Sequence, residues 1–220
     1  MKKKYNLPKD FTVTYHAGFM RTEPNSIKSI EKAIKMNAQV VEMDVTFRDD
    51  GTPVIIHASS AGKDKGASFD EALSVVAKHP SCKINLDIKS IANIPAIDKA
   101  VKFHGLENRA FYTGVGEDWV ECVKANSTLP YYLNFYVKEE IATSEEKLKS
   151  LANKILTSGA CGLNTDFSHV NKSTVDIMHD ANLLVSVWTC NKKRHLKKML
   201  VIGPDNITTK RPDRLNKLIR

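Results

Sequence analysis

The chain has 220 residues, 33 Lys and Arg against 25 Asp and Glu for a formal net charge of +8, and 42% hydrophobic residues with only 10 Gly and 8 Pro. This composition excludes disordered and collagen-like chains, and no apolar run approaches the roughly 18 residues of a membrane-spanning helix. The 4 cysteines, Cys82, Cys122, Cys161 and Cys190, form no C-x-x-C pair, so they read as free core thiols and not as a zinc site or disulfide framework.

Short β-branched runs alternate with amphipathic stretches from one end to the other, with no linker or repeat, so residues 1–220 are expected to form one domain. The basic start Met1-Lys2-Lys3-Lys4 runs into Tyr5-Asn6-Leu7-Pro8, where a signal peptide would need its apolar stretch, and a cytoplasmic location is expected. Strands are predicted at residues 12–16, 40–47, 84–88, 109–113, 130–135, 161–165, 184–189 and 206–209. Between them, Ile27, Ile30, Ala33 and Ile34 recur at helical spacing, as do Leu73, Val76 and Ala77, then Ile97 and Val101. Ser68-Phe69-Asp70-Glu71 reads as a capping box. Lys192-Lys193-Arg194-His195-Leu196-Lys197-Lys198 reads as the solvated face of a helix. With no zinc-finger or RNA-recognition motif beside it, a nucleic-acid partner is not expected. Eight strands separated by helices predict an α/β fold, a single (β/α)8 TIM barrel.

One segment breaks the alternation. Val54-Ile55-Ile56-His57 follows the second strand after only five residues, too few for a parallel crossover, and so predicts an extra β-hairpin after strand 2. If Asp50-Gly51 were the centre of a two-residue type I′ turn, His57 would lie directly opposite Asp44.

A barrel of this kind carries its chemistry at the C-terminal strand ends. His16 ends the first predicted strand; Glu42 and Asp44 lie in the second, Asp87 and Lys89 at the end of the third, and Asn134, Asn164 and Trp188 near the ends of later ones. Glu42 and Asp44 are two apart in Val40-Val41-Glu42-Met43-Asp44-Val45, so both side chains share one face. Paired carboxylates in a dry barrel repel each other, and a divalent cation is the simplest compensation. Asp87 adds a third oxygen ligand, which suits a hard ion such as Mg²⁺ or Ca²⁺ better than zinc. Lys89 is then a cation placed to meet an anionic substrate group. The alternative is a structural ion-pair network inside the barrel with incidental histidines. Convergence of so many ionisable groups on one mouth favours function. The remaining histidines, His79, His104, His169, His179 and His195, fall in helix or loop contexts. Lys63-Asp64-Lys65 lies between glycines but is not a phosphate-binding P-loop.

Tyr15-His16-Ala17-Gly18, Glu23-Pro24-Asn25-Ser26, Val41-Glu42-Met43-Asp44-Val45 and Asp50-Gly51-Thr52-Pro53-Val54-Ile55-Ile56-His57 resemble the glycerophosphodiester phosphodiesterase family. Val187-Trp188-Thr189-Cys190-Asn191 and Asn206-Ile207-Thr208-Thr209 continue the resemblance. It implies a barrel that hydrolyses phosphodiesters with one divalent cation, Mg²⁺ or Ca²⁺. His16 and His57 would be its acid/base pair, and Glu42, Asp44 and Asp87 its metal ligands. Lys89 and Trp188 would bind a small-molecule phosphodiester, releasing glycerol 3-phosphate and an alcohol; Asn134 and Asn164 are read from their positions alone, either as substrate-binding residues that hydrogen-bond glycerol or as partners of the backbone. Alternation alone leaves Trp188 open between a lid and a core residue, and the resemblance puts it on the substrate side.

Four departures stand out. Ala17 replaces the family's Arg, for which Arg21, Lys63 and Lys65 are the candidate substitutes; Ala58 replaces an Asp; Asp87 is shorter than the usual Glu; and the stretch from His57 to Asp87 is short where the family commonly carries an inserted subdomain. The same residues resemble phospholipase D and sphingomyelinase D toxins, which form cyclic phosphates. Ala17 also admits a barrel that binds phosphorylated metabolites without turnover. A homo-oligomer is left open by the sequence.

Overall fold

A computed structural model describes residues 5–220, so the basic start at residues 1–4 lies outside the described residues. The strands are β1 (Thr12–Tyr15), β2 (Val40–Phe47), β3 (Pro53–Ile55), β4 (Ala67–Ser68), β5 (Lys83–Ile88), β6 (Ala110–Val115), β7 (Tyr131–Asn134), β8 (Gly162–Asp166), β9 (Leu184–Trp188) and β10 (Asn206–Thr209). All except β3 and β4 pair in parallel, and β1 joins both β10 and β2, which closes an eight-stranded barrel. The helices between strands are α1 (Ile27–Lys35), α2 (Phe69–Ala77), α3 (Ile94–Phe103), α4 (Val120–Asn126), α5 (Glu139–Ala142), α6 (Glu145–Ser158), α7 (Lys172–Asp180) and α8 (Lys193–Ile202), with α9 (Pro212–Ile219) after the last strand.

Two-residue periodicity sorts each strand into an apolar and a polar face. Val41, Met43, Ile84, Leu86, Val185 and Val187 pack in one core with Ile30, Leu73, Val76, Ile97, Leu196 and Met199 of the surrounding helices. The other face is a polar column along the barrel axis. The Thr14 hydroxyl donates to Asn206 Oδ1 at 2.7 Å, the Asn206 amide to Ser186 Oγ at 2.9 Å, and the Thr113 hydroxyl to Asn85 Oδ1 at 2.8 Å. Such interior polar groups are retained because they satisfy one another. The helix ends follow their caps: Ser26 and Ser68 accept from the amides of Ser29 and Glu71, the latter forming one half of the expected capping box. The cysteines are free. Burial pushes the Cys82 thiol up to about 11 and that of Cys190 to about 12.

The hairpin is present, with a different register. Val45, Thr46 and Phe47 pair with Ile55, Val54 and Pro53, so Ile56, not His57, stands opposite Asp44 and donates its amide to the Asp44 carbonyl. The loop holds three residues between Arg48 and Thr52, with Gly51 at φ +81 and the Asp50 carboxylate accepting from the Thr52 amide. A turn closed by a left-handed glycine takes one residue more than the type I′ turn, and each added residue flips the pairing. β4 then adds a third antiparallel strand beside β3.

Candidate active site

At the C-terminal ends of the barrel strands lies a cavity of about 590 Å³, walled by residues that include His16, Glu42, Asp44, His57, Asp87 and Lys89. β2 carries Glu42 and Asp44 on its axial face, and in the parallel register Asp87 of β5 is the neighbour of Asp44. Oxygen atoms of the three carboxylates all lie within 4.8 Å of one another. Glu42 and Asp44 are 5% and 3% exposed, a degree of burial that carboxylates tolerate only with partners.

Each partner can be named. The Ala17 amide donates to Glu42 Oε2 at 2.5 Å. Asn25 holds Asp44 twice, its side-chain amide donating to Oδ2 at 2.8 Å and its carbonyl accepting from the Asp44 amide at 2.9 Å. Lys89 Nζ lies 2.9 Å from Asp44 Oδ1 and 2.7 Å from Asp87 Oδ2. Burial, reinforced by the charges of Asp44 and Asp87, holds the Glu42 carboxyl well above the usual carboxylate range. For Lys89, burial works against the ammonium, but Asp87 and Asp44 outweigh it and raise its pKa. With all three ionised, the carboxylates exceed the one ammonium by two negative charges, which a divalent ion balances while favouring the ionised form of Glu42, and an all-oxygen donor set suits Mg²⁺ or Ca²⁺. The residues therefore fit such an ion.

His16 follows β1, and its Nδ1 lies 2.6 Å from the Ala17 carbonyl and 3.7 Å from Glu42 Oε2. A carbonyl only accepts, so Nδ1 carries the proton and Nε2 keeps its lone pair. Burial lowers the pKa of this ring. His57 reaches the same cavity although its register differs from expectation: the chain leaves the ladder after Ile55, and an Ala58 amide to Ile56 carbonyl bond turns the backbone about His57.

The far wall is neutral. Asn134, at the end of β7, accepts through Oδ1 from the Gly114 amide at 3.0 Å and the Asn164 amide at 2.8 Å, which leaves its NH₂ group for other partners. Trp188 ends β9 and packs edge-on against exposed Tyr136, ring centroids 5.4 Å apart; Trp119 completes the aromatic wall. The indole N–H of Trp188 is buried without a hydrogen-bond partner among the described residues.

All eight site residues expected from the sequence thus line one cavity. Arg21, Lys63 and Lys65 do not line it, nor do His79, His104, His169, His179 and His195; His104 and His179 instead pair with Asp70 and Asp205, each at 2.8 Å. Four contributors went unassigned. Asn25 lies in the Glu23-Pro24-Asn25-Ser26 motif but is brought to Asp44 only by the β1 to α1 loop. Gly114, at φ +82, passes so close to β5 that a Cβ would sit 2.4 Å from the Ile88 carbonyl and 2.6 Å from Asp87 Oδ1. Tyr136 and Lys210 also line the cavity; for Lys210 the signal was its place two residues beyond axial Thr208.

A closed parallel barrel with its charged cavity at the C-terminal strand ends defines the chain as a barrel of the enzyme type. It belongs to the glycerophosphoryl diester phosphodiesterase family, a family of phosphoric diester hydrolases, which it matches over residues 16–63 and 67–214. A glycerophosphodiester phosphodiesterase of Bacillus altitudinis is 24% identical over 92% of this chain and 96% of its own length. Among solved structures, an Oleispira antarctica phosphodiesterase in complex with the product sn-glycerol-3-phosphate is similar at TM-score 0.76 and 18% identity, over 97% of each chain. A glycerophosphodiester phosphodiesterase from Parabacteroides distasonis is similar at TM-score 0.71 and 20% identity, over 96% of this chain and 97% of its own. No helix among the described residues is long and apolar enough to cross a membrane.

Proposed function

We propose that the protein, as one domain, hydrolyses glycerophosphodiesters to glycerol 3-phosphate and an alcohol, with Glu42, Asp44 and Asp87 holding one divalent ion and His16 and His57 moving the protons. The observation that carries this reading is the convergence of three carboxylates within 4.8 Å, flanked by two histidines and a lysine, on one cavity. Bound there, a Mg²⁺ or Ca²⁺ ion supplies Lewis-acid stabilisation of charge developing on the phosphoryl oxygens. Lys89, already drawn toward the carboxylates, adds an ammonium beside the same oxygens. His16, neutral through burial and with Nε2 unprotonated, takes a proton from the attacking hydroxyl or water. His57, on the exposed side of the cavity, gives a proton to the departing alcohol. The NH₂ group of Asn134 and the face of Trp188 are available to the glycerol moiety.

The test is release of glycerol 3-phosphate from glycerophosphodiesters with Mg²⁺, with Ca²⁺ and with chelator, using Glu42→Ala as control. The expected result is ion-dependent turnover that the variant abolishes. Ion binding without turnover would indicate a binding barrel, and a cyclic phosphate as end product would indicate the transfer chemistry of the lipid phosphodiesterases.

A further inference from the structure

Lys89 is the cation nearest the carboxylates, but its ammonium contacts two of them, so an incoming phosphodiester anion meets a lysine already held by negative charge. A second cation stands on the other side of the cluster. Lys210 follows β10, and the parallel register that pairs Tyr15 with Thr209 sets Lys210 beside His16. Its backbone is fixed there by two hydrogen bonds: its amide donates to Asn191 Oδ1 at 2.8 Å, and its carbonyl accepts from the Met20 amide at 2.9 Å. Alternation does the rest. Asn206 and Thr208 face the barrel axis, so the side chain two residues further on faces the same way, and Thr208 and Lys210 both line the cavity. No carboxylate among the described residues forms an ion pair with Lys210. In barrel order the mouth therefore reads Lys210, His16, Glu42 with Asp44, then Asp87 with Lys89. The carboxylates are flanked by cations on both sides, and only the Lys210 ammonium is uncommitted.

We propose that Lys210 is a phosphate-binding residue of this site, its ammonium taking a non-bridging oxygen of the phosphodiester on the His16 side while the other lies toward Lys89. This inference rests on the proposed reaction and adds a substrate contact to it. A charge-assisted hydrogen bond at a part-open site corresponds to about a tenfold to hundredfold change in affinity. Because the ammonium engages the anion in both the bound substrate and the transition state, its removal acts on KM more than on kcat.

The experiment compares the parent chain with Lys210→Ala and Lys210→Arg, and with Arg21→Ala and Lys63→Ala as exposed cations outside the cavity. It measures kcat and KM for a glycerophosphodiester with Mg²⁺, and glycerol 3-phosphate binding by calorimetry both with Mg²⁺ and with chelator. Lys210→Ala is expected to raise KM and weaken product binding by at least about tenfold, with kcat changed less than about threefold. Lys210→Arg is expected to recover most of the loss, and the two control variants to match the parent. Lys210→Ala values within about twofold of the parent, or an equal loss in the controls, would overturn the proposal. Failure of the parent to turn over any glycerophosphodiester would instead overturn the reaction beneath it, while glycerol 3-phosphate binding would still report on Lys210. The substitution leaves both backbone bonds of residue 210 in place, and melting temperatures confirm that the variants are folded.

Discussion

The two halves of the barrel mouth are built on opposite principles. From β10 through β1 and β2 to β5 the wall carries Lys210, His16, Glu42, Asp44, Asp87 and Lys89; from β7 to β9 it carries Asn134, Asn164 and Trp188, all uncharged. The carboxylates of the charged half are held by hydrogen bonds and ion pairs within 3 Å to groups that cannot move without unpairing a buried charge, as Asn25 on Asp44 shows. The neutral half is braced by the hydrogen bond that the Asn164 side-chain amide donates to Asn134 Oδ1 and by edge-on aromatic packing. In the proposed reaction this separates two tasks: phosphate and ion chemistry fall to the charged half, and shape selection of the organic moiety falls to the neutral one.

Removing a ligand of the charged half should have the largest effect. Glu42→Ala, or chelation of the parent, is expected to cut turnover by about a thousandfold or more, since it removes charge stabilisation worth several kcal/mol. Measured ion affinity should fall with it, and an active Glu42→Ala protein would break the division outright.

The histidines come next. Loss of a general acid or base costs about a hundredfold to ten-thousandfold. His57→Ala should show that loss with an alkyl leaving group and much less with a p-nitrophenyl one, which leaves without a proton. His16→Ala should lose activity with both. Because burial lowers the His16 pKa, the base remains unprotonated as pH falls past 6.5, so its acid limb in kcat/KM is expected below that value; an acid limb above it, with ion affinity unchanged over the same pH range, would remove His16 from the role of base.

A smaller effect tests the supports. Asn25→Ala deletes both bonds to Asp44 and should weaken ion binding by about tenfold to a hundredfold, the usual cost of losing an outer partner of a ligand. Unchanged ion affinity would show that Asp44 is held by Lys89 alone.

The neutral half should respond least. Trp188→Ala is expected to raise KM for glycerophosphodiesters by about tenfold, in the range of a lost aromatic contact, with ion affinity unaltered. Loss of ion binding in this variant would show that the two halves are not separate.

Much of this was legible in the residue order. The polar and apolar faces of β2 and β5 follow from strict alternation, so the shared face of Glu42 and Asp44 and the third carboxylate at Asp87 could be read before any fold was known. So could the strand and helix order, because each element signals itself within a few residues. What was not legible depended on a single residue of loop geometry or on distant segments. The two-residue turn assumed at Asp50-Gly51 was replaced by a three-residue loop closed by left-handed Gly51, and His57 reached the cavity by turning out of the ladder, not by facing Asp44.

The sequence by itself therefore determined the alternation of strands and helices, the barrel they imply and the carboxylates that share its axis, because periodicity and side-chain direction are local properties of the backbone. Only the tertiary structure decided that Asn25 clamps Asp44, that Gly114 clears the space beside Asp87 and that Lys210, not Arg21, Lys63 or Lys65, stands at the mouth. Those are contacts between segments 19 to nearly 200 residues apart, set by the pairing of β1 with β2, of β5 with β6 and of β10 with β1, which joins residues that no local pattern relates.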